Sequence, residues 1–217
     1  MSNLLELVFV LDKSGSMSGS EHDVIGGFNS TIREHLEHEQ NALVTTTLFD
    51  TTMTLLHDRT PIERINLLTS RDYRPNGNTA LLDALGETIT RIKTAHRYAR
   101  EEDLPHKTLF VVMTDGEENS SRHYSNRQIQ KLVKRQEENY HWEFLFIGAD
   151  IDAFASARDL GIRPSRAISF SKEEDSFEDC FDCLSSFSFR LSSCDIAESV
   201  SDQEVSRIFS SFHKNHK

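Results

Sequence analysis

Asp12-Lys13-Ser14-Gly15-Ser16 places a carboxylate and two hydroxyls at alternate positions directly after an apolar run. In an extended or turning segment, alternate residues share one side, and Gly15 lets the backbone fold tightly between them. Three hard oxygen donors with no thiol or imidazole among them suit Mg²⁺, Mn²⁺ or Ca²⁺ rather than zinc or copper. Two later stretches carry donors of the same kind. Thr79 follows the loop signature Pro75-Asn76-Gly77-Asn78, and Asp115 follows a second apolar run in Thr114-Asp115-Gly116-Glu117-Glu118-Asn119. Two carboxylates and three hydroxyls make a sparse site. Mg²⁺ in such a site keeps several waters and leaves a position open to a carboxylate from another molecule.

Elements of an α/β fold are needed to bring these stretches together. Leu7 to Leu11 and Thr108 to Met113 read as strands covered on both faces, and Trp142 to Ile147 as a third. Ala42 to Phe49, rich in Val and Thr, pairs through the turn at Asp50-Thr51 with Met53 to Leu56 as a hairpin. Ala167 to Phe170 is a short last strand. Glu21 to Glu39 has Val24 or Ile25, Phe28, Ile32 and Leu36 at helical spacing. Thr79 reads as the cap of a long helix with Leu82, Leu85, Ile89 and Ile92 inward. Tyr124 to Asn139 and Ile151 to Leu160, the latter closed by Gly161, are two more helices. Strands alternating with helices give a doubly wound, mostly parallel sheet with one antiparallel edge strand and helices on both faces. In such folds ligands sit at the carboxyl edge of the sheet, where Asp12 and Asp115 fall.

The chain of 217 residues has 37% hydrophobic content, enough for one good core: a domain over residues 1–171 and an extension over 172–217. Its formal net charge of −11 disfavours nucleic acid and anionic membrane as partners. No apolar run approaches the roughly 20 residues of a membrane span. Three cysteines between Cys180 and Cys194, with no basic leader before the first strand, read as a cytoplasmic protein. The extension concentrates charge. Residues 173–204 hold ten acidic side chains against Arg190 alone, while Phe177, Phe181, Leu184, Phe187 and Leu191 keep helical spacing. That combination describes an acidic amphipathic helix followed by a short Ser-rich tail.

The site pattern resembles the metal-ion-dependent adhesion site of the von Willebrand factor A-type domain, Asp-x-Ser-x-Ser with a later Thr and a later Asp. Here it stands as Asp12-Lys13-Ser14-Gly15-Ser16, then Asn78-Thr79-Ala80, then Thr114-Asp115-Gly116, over about residues 3 to 170. The resemblance implies Ser14, Ser16 and Thr79 as direct or switchable ligands, with Asp12 and Asp115 acting directly or through water. It also implies a partner protein whose Glu or Asp completes the shell, in a stand-alone, scaffold-type module.

Plainer assignments compete at several positions. Ser14, Ser16 and Thr79 taken singly suit helix caps. Glu117 and Glu118 suit a solvated loop or the rim of the site. Cys180 and Cys183 suit buried structural thiols, and His35 and His38 a solvated helix face. As an alternative function, a metal-assisted hydrolase or phosphotransferase at the same edge lacks support. A haloacid-dehalogenase-type phosphatase wants a second Asp where Ser14 stands, and Met17 occupies the Ser position of Gly-x-Ser-x-Gly. No Walker loop follows the first strand, and no catalytic residue is assigned. The acidic extension also has a regulatory reading, as a source of the carboxylate that meets the cation.

Overall fold

The computed structural model describes residues 4–149, 152–170 and 176–212. Six strands form one sheet in the order β3-β2-β1-β4-β5-β6. These are β1 (Leu5–Asp12), β2 (Ala42–Phe49), β3 (Met53–Pro61), β4 (Lys107–Thr114), β5 (Glu143–Ala149) and β6 (Ala167–Phe170). All neighbours run parallel except β2 and β3. The hairpin is longer than the sequence suggests, because a register irregularity between Val44 and Thr47 lets β3 continue past His57.

Every residue of β1 and β4 is buried, as their unbroken apolar runs require. Alternate side chains feed two cores. Leu5, Leu7, Phe9 and Leu11 face α1 (Glu21–Glu37), α5 (Ser176–Ser192) and α6 (Asp202–Phe212). Val8 and Val10 face α2 (Leu81–Tyr98), α3 (Asn126–Tyr140) and α4 (Ala153–Asp159). Helices therefore cover both faces of the sheet.

The first face holds the main departures from the expected pattern. Leu36 is 40% exposed, while His35 beside it is wholly buried. The reason is α5, which lies on α1 and rotates its covered stripe: Ser188 Oγ hydrogen-bonds His35 Nε2 at 2.8 Å, and the Phe189 ring stacks on the imidazole. A solvated His35 is thus incorrect. Gly27 permits that approach, since a Cβ there would fall 1.9 Å from the Phe181 ring. Phe181, Leu184, Phe187 and Leu191 are all buried in the same cluster as β1 and β4. The side chain of Phe177 lies outside the described residues.

Residues 202–212, read as tail from composition, form α6, where Val205 is buried and Ile208 and Phe209 pack against the core. Ser201 and Glu204 exchange hydrogen bonds at its start, a capping pair overlooked in the sequence. The acids of this region are not a free surface. Asp202 meets the buried Arg166, and Glu204 meets Arg190.

Candidate functional site

The carboxyl ends of β1 and β4 are neighbours, which sets Asp12 beside Thr114 and the Asp115 loop. Asp12 is fully buried, and both of its carboxylate oxygens are engaged. Oδ1 accepts from the Ser14 backbone N–H at 2.7 Å, and Oδ2 from the Thr114 hydroxyl at 2.6 Å. Its carbonyl oxygen accepts from the buried Tyr73 hydroxyl. Burial pushes the Asp12 carboxyl above its usual range. The Thr114 and Ser14 bonds oppose that shift, and the nearby Asp115 charge adds to it.

Beyond Asp12 the chain leaves β1 in a tight turn, Gly15–Met17, anchored by Gly15 N–H to Gly77 O at 3.0 Å. The turn brings the Ser14 and Ser16 hydroxyls to 3.0 Å from each other. Ser16 Oγ then donates to Asp115 Oδ1 at 2.6 Å. Gly116 completes the junction. A Cβ at that position would lie 3.0 Å from Thr79 Oγ1 and 3.2 Å from Ser16 Oγ, so both hydroxyls flank one point of the loop. The five expected residues are thus gathered at one edge, with Ser14, Thr79 and Asp115 buried and Ser16 open to solvent.

None of the three hydroxyls caps a helix. Ser14 precedes the tight turn without a side-chain cap bond, and α2 starts behind Ala80 rather than Thr79. The N-terminal amides of α2 are met from the β4–α3 loop instead. Glu118 Oε2 accepts from Leu82 N–H at 2.9 Å, and Ser121 Oγ from Asp83 N–H at 3.0 Å. In return, Asp83 accepts the backbone N–H groups of Arg122, His123 and Tyr124, while Asn119 Oδ1 accepts from Thr79 N–H. Glu118 is therefore neither a solvated loop acid nor a rim ligand. It anchors the loop that carries Asp115 to the helix behind Thr79.

A further pair stood unremarked in the sequence. Lys13 forms an ion pair with Asp50 at the end of β2, and both are largely shielded from solvent. Burial alone would raise the Asp50 carboxyl, but the Lys13 bond and the two Thr52 bonds hold it below its usual range. Asp50 O also accepts from Ala80 N–H, so β2, the Thr79 loop and the Lys13 turn are tied into one frame. A polar residue between Asp12 and Ser14 carried no spacing signal that could have identified this pairing.

The donor set fits a hard divalent cation. It is all oxygen, it pairs two carboxylates with three hydroxyls, and the Ser14 and Ser16 hydroxyls and the Asp115 carboxylate already lie within hydrogen-bond distance in sequence. Among the described residues no three His, Cys, Asp or Glu side chains cluster as a metal site. Cys180, Cys183 and Cys194 are buried free thiols.

Comparison with known proteins gives the family. The model of the von Willebrand factor type A domain matches residues 6–182. The chain belongs to that family. Its sheet order, antiparallel edge strand and surrounding helices are those of the vWA fold. Among solved structures it is similar to the vWF domain of the type V pili tip protein Mfa5 from Porphyromonas gingivalis. That match has a TM-score of 0.61 and 11% identity, covering 91% of this chain and 98% of that one. The PilB minor pilin from Streptococcus sanguinis gives a TM-score of 0.63 at 13% identity, covering 88% and 63%. Proximal thread matrix protein 1 from the mussel byssus gives 0.56 at 13% identity, covering 85% of this chain and 46% of its own. The chain thus spans about half to two thirds of the length of two of these three. At such identities the likeness concerns the fold alone. No curated protein matches the chain. vWA domains generally mediate protein–protein interactions and are typically non-catalytic. No helix among the described residues is long and apolar enough to cross a membrane.

Proposed function

We propose that this vWA domain is a cation-dependent protein-interaction module. Ser14, Ser16 and Thr79 would hold Mg²⁺, or Mn²⁺ or Ca²⁺ in its place, with Asp12 and Asp115 supplying the negative charge. The observation that supports this reading most directly is the chain of contacts from Ser14 to Ser16 to Asp115, with the Thr79 and Ser16 hydroxyls both bordering Gly116. A bound cation supplies a strong, directional attraction for an anionic side chain at an edge otherwise too negative to receive one. The partner would therefore present an Asp or Glu carboxylate.

The protein's own residues fix the rest of the geometry. Thr114 and the Ser14 amide orient Asp12, and Glu118 and Asp83 hold the Asp115 loop against α2. Ser16 is the exposed member, so the site opens to a partner on that side. Buried, unpaired thiols suit a reducing compartment, and we read the protein as cytoplasmic.

Calorimetry with Mg²⁺ and Mn²⁺, followed by affinity capture, tests the reading. Capture would compare wild type in Mg²⁺, wild type in EDTA, and a folded Ser14→Ala/Ser16→Ala variant in Mg²⁺. The expected result is cation binding by wild type, lost in the variant, and a partner retained only in the first condition. Equal cation affinity of the two proteins would overturn the assignment of the site. The same proteins retained in all three conditions would move recognition to another surface.

A further inference from the structure

Lys13 stands between Asp12 and Ser14, two members of the candidate cation site, where an unpaired positive charge would repel a bound cation. Its ammonium is paired instead. Asp12 and Phe49 are register partners on β1 and β2, so Lys13 and Asp50 leave the two strands side by side. Their side chains form an ion pair and are only 14% and 12% exposed. Asp50 is held in turn by Thr52, whose N–H and hydroxyl both donate to Oδ1, at 2.7 and 2.9 Å, leaving Oδ2 for Lys13.

The main chain of the same two residues holds the loop that carries Thr79. Lys13 O accepts from Asn76 N–H at 2.8 Å, and Asp50 O from Ala80 N–H at 3.0 Å. Thr51 Oγ1 accepts from Asn78 N–H at 2.8 Å. Gly77, at a φ of +73°, passes so close that a Cβ there would fall 2.7 Å from that hydroxyl. The Gly77 carbonyl meets Gly15 N–H, and Thr79 N–H meets Asn119 Oδ1. Residues 76–80 are thus bonded at every position, and two of their acceptors are the carbonyls of Lys13 and Asp50. The side-chain pair ties those two carbonyls to one another.

We propose that the Lys13–Asp50 pair makes the site selective for Mg²⁺ over Ca²⁺, by fixing the Thr79 loop against the turn that carries Ser14 and Ser16. The proposal rests on the cation reading above. Mg²⁺ demands near-ideal octahedral geometry at about 2.0–2.1 Å, whereas Ca²⁺ accepts irregular shells at about 2.3–2.6 Å, so cavity size and rigidity decide between them. A Thr79 loop bonded along its length resists the expansion that Ca²⁺ needs. Because Lys13 and Asp50 neutralise each other, the pair supplies this rigidity with little net repulsion of the ion.

Binding of Mn²⁺ to the full chain, read by water-proton relaxation, and its displacement by Mg²⁺ and by Ca²⁺ test the proposal. Wild type should bind Mn²⁺ and release it to Mg²⁺ more readily than to Ca²⁺. Lys13→Met/Asp50→Asn removes both charges at once and leaves the net charge beside the site unchanged. It should lower Mg²⁺ affinity about tenfold, the scale of lost support around a metal ligand, and Ca²⁺ affinity much less. Amide exchange at Asn76 and Ala80 should quicken in the cation-free double variant. Lys13→Met alone leaves Asp50 negative, which by charge would strengthen binding of both ions; a selective loss of Mg²⁺ is expected instead. This single variant carries the comparison should the double one fail to fold. Lys13→Arg, which keeps the charge, should retain most of the preference. A Mg²⁺ to Ca²⁺ affinity ratio unchanged by loss of the pair, or a wild type that prefers Ca²⁺, would overturn the proposal and leave the cation site standing. Wild type that binds no Mn²⁺ would overturn the cation reading and this proposal together.

Discussion

Ser16 Oγ donates a 2.6 Å hydrogen bond to Asp115 Oδ1 across 99 positions of chain, joining the turn after β1 to the loop after β4. The two strands lie side by side in register, so their carboxyl ends cannot avoid each other. What needs explanation is why the two loops stop where their oxygen atoms face. Gly15 and Gly116 supply part of the answer. The first lets the turn bond Gly77, and the second leaves room for two hydroxyls.

Substitution of that second glycine is a sensitive probe of the site. Gly116 has no positive φ, so Ala is acceptable to the backbone, but its Cβ would press on Thr79 Oγ1 and Ser16 Oγ. Gly116→Ala should therefore lower Mn²⁺ affinity about tenfold or more, at a stability cost of about 1–2 kcal/mol. Water-proton relaxation would read the first and urea unfolding the second. Unchanged Mn²⁺ affinity would show that Thr79 and Ser16 do not share a cation.

Thr114 tests the support of Asp12. Its hydroxyl donates to Asp12 Oδ2 in the protein interior and accepts from Gly116 N–H at 3.1 Å in a part-buried position. Valine keeps the shape and removes the hydroxyl. Thr114→Val should cost about 2–3 kcal/mol, because a buried carboxylate oxygen and an amide both lose a partner. A loss below about 0.5 kcal/mol in urea would mean that solvent replaces the hydroxyl without penalty.

Gly27 probes the attachment of the C-terminal helices. With an alanine Cβ only 1.9 Å from the Phe181 ring, α5 must shift away from α1. Gly27→Ala should destabilise by about 1–3 kcal/mol despite its better helix propensity, with faster amide exchange along α5. Adding Phe181→Leu should recover part of the loss, a coupling that a purely local effect at Gly27 would not produce.

Much of this arrangement was legible in the sequence. The unbroken apolar runs of β1 and β4, the stripe from Leu82 to Ile92 and the three oxygen-bearing stretches are local signals, and the fold places them as expected. What escaped depends on partners far along the chain. Periodicity alone put Leu36 inward, but Ser188 and Phe189, some 150 residues later, select His35. Thr79 looked like a cap because nothing nearby announced that Glu118 and Ser121 meet the start of α2. Serine-rich composition after the acidic helix made the end of the chain look like a tail, although residues 202–212 form α6. Arg166, outside that stretch, holds Asp202, and the Ser201–Glu204 pair begins the helix.

Glu137, next to Gln136 on α3, should give the protein a measurable pH dependence. Burial raises its carboxyl from 4.5 to about 7, against the opposing influence of Arg163 at 3.9 Å. Its Oε1 has no hydrogen-bond partner among the described residues. The folded chain therefore holds a proton on Glu137 between about pH 4.5 and 7 that the unfolded chain has already released. More protons bound in the folded state means stability falls as pH rises through that window, and levels off above it. Glu137→Gln removes the titration while keeping shape and polarity. It should be close to neutral at pH 4 and stabilising by roughly 1–3 kcal/mol at pH 8, since one pKa unit is about 1.4 kcal/mol. Urea unfolding of ligand-free wild type and variant across pH 4 to 8 would decide. Parallel stability curves would show that Glu137 ionises freely, with Arg163 closing on it as the proton leaves.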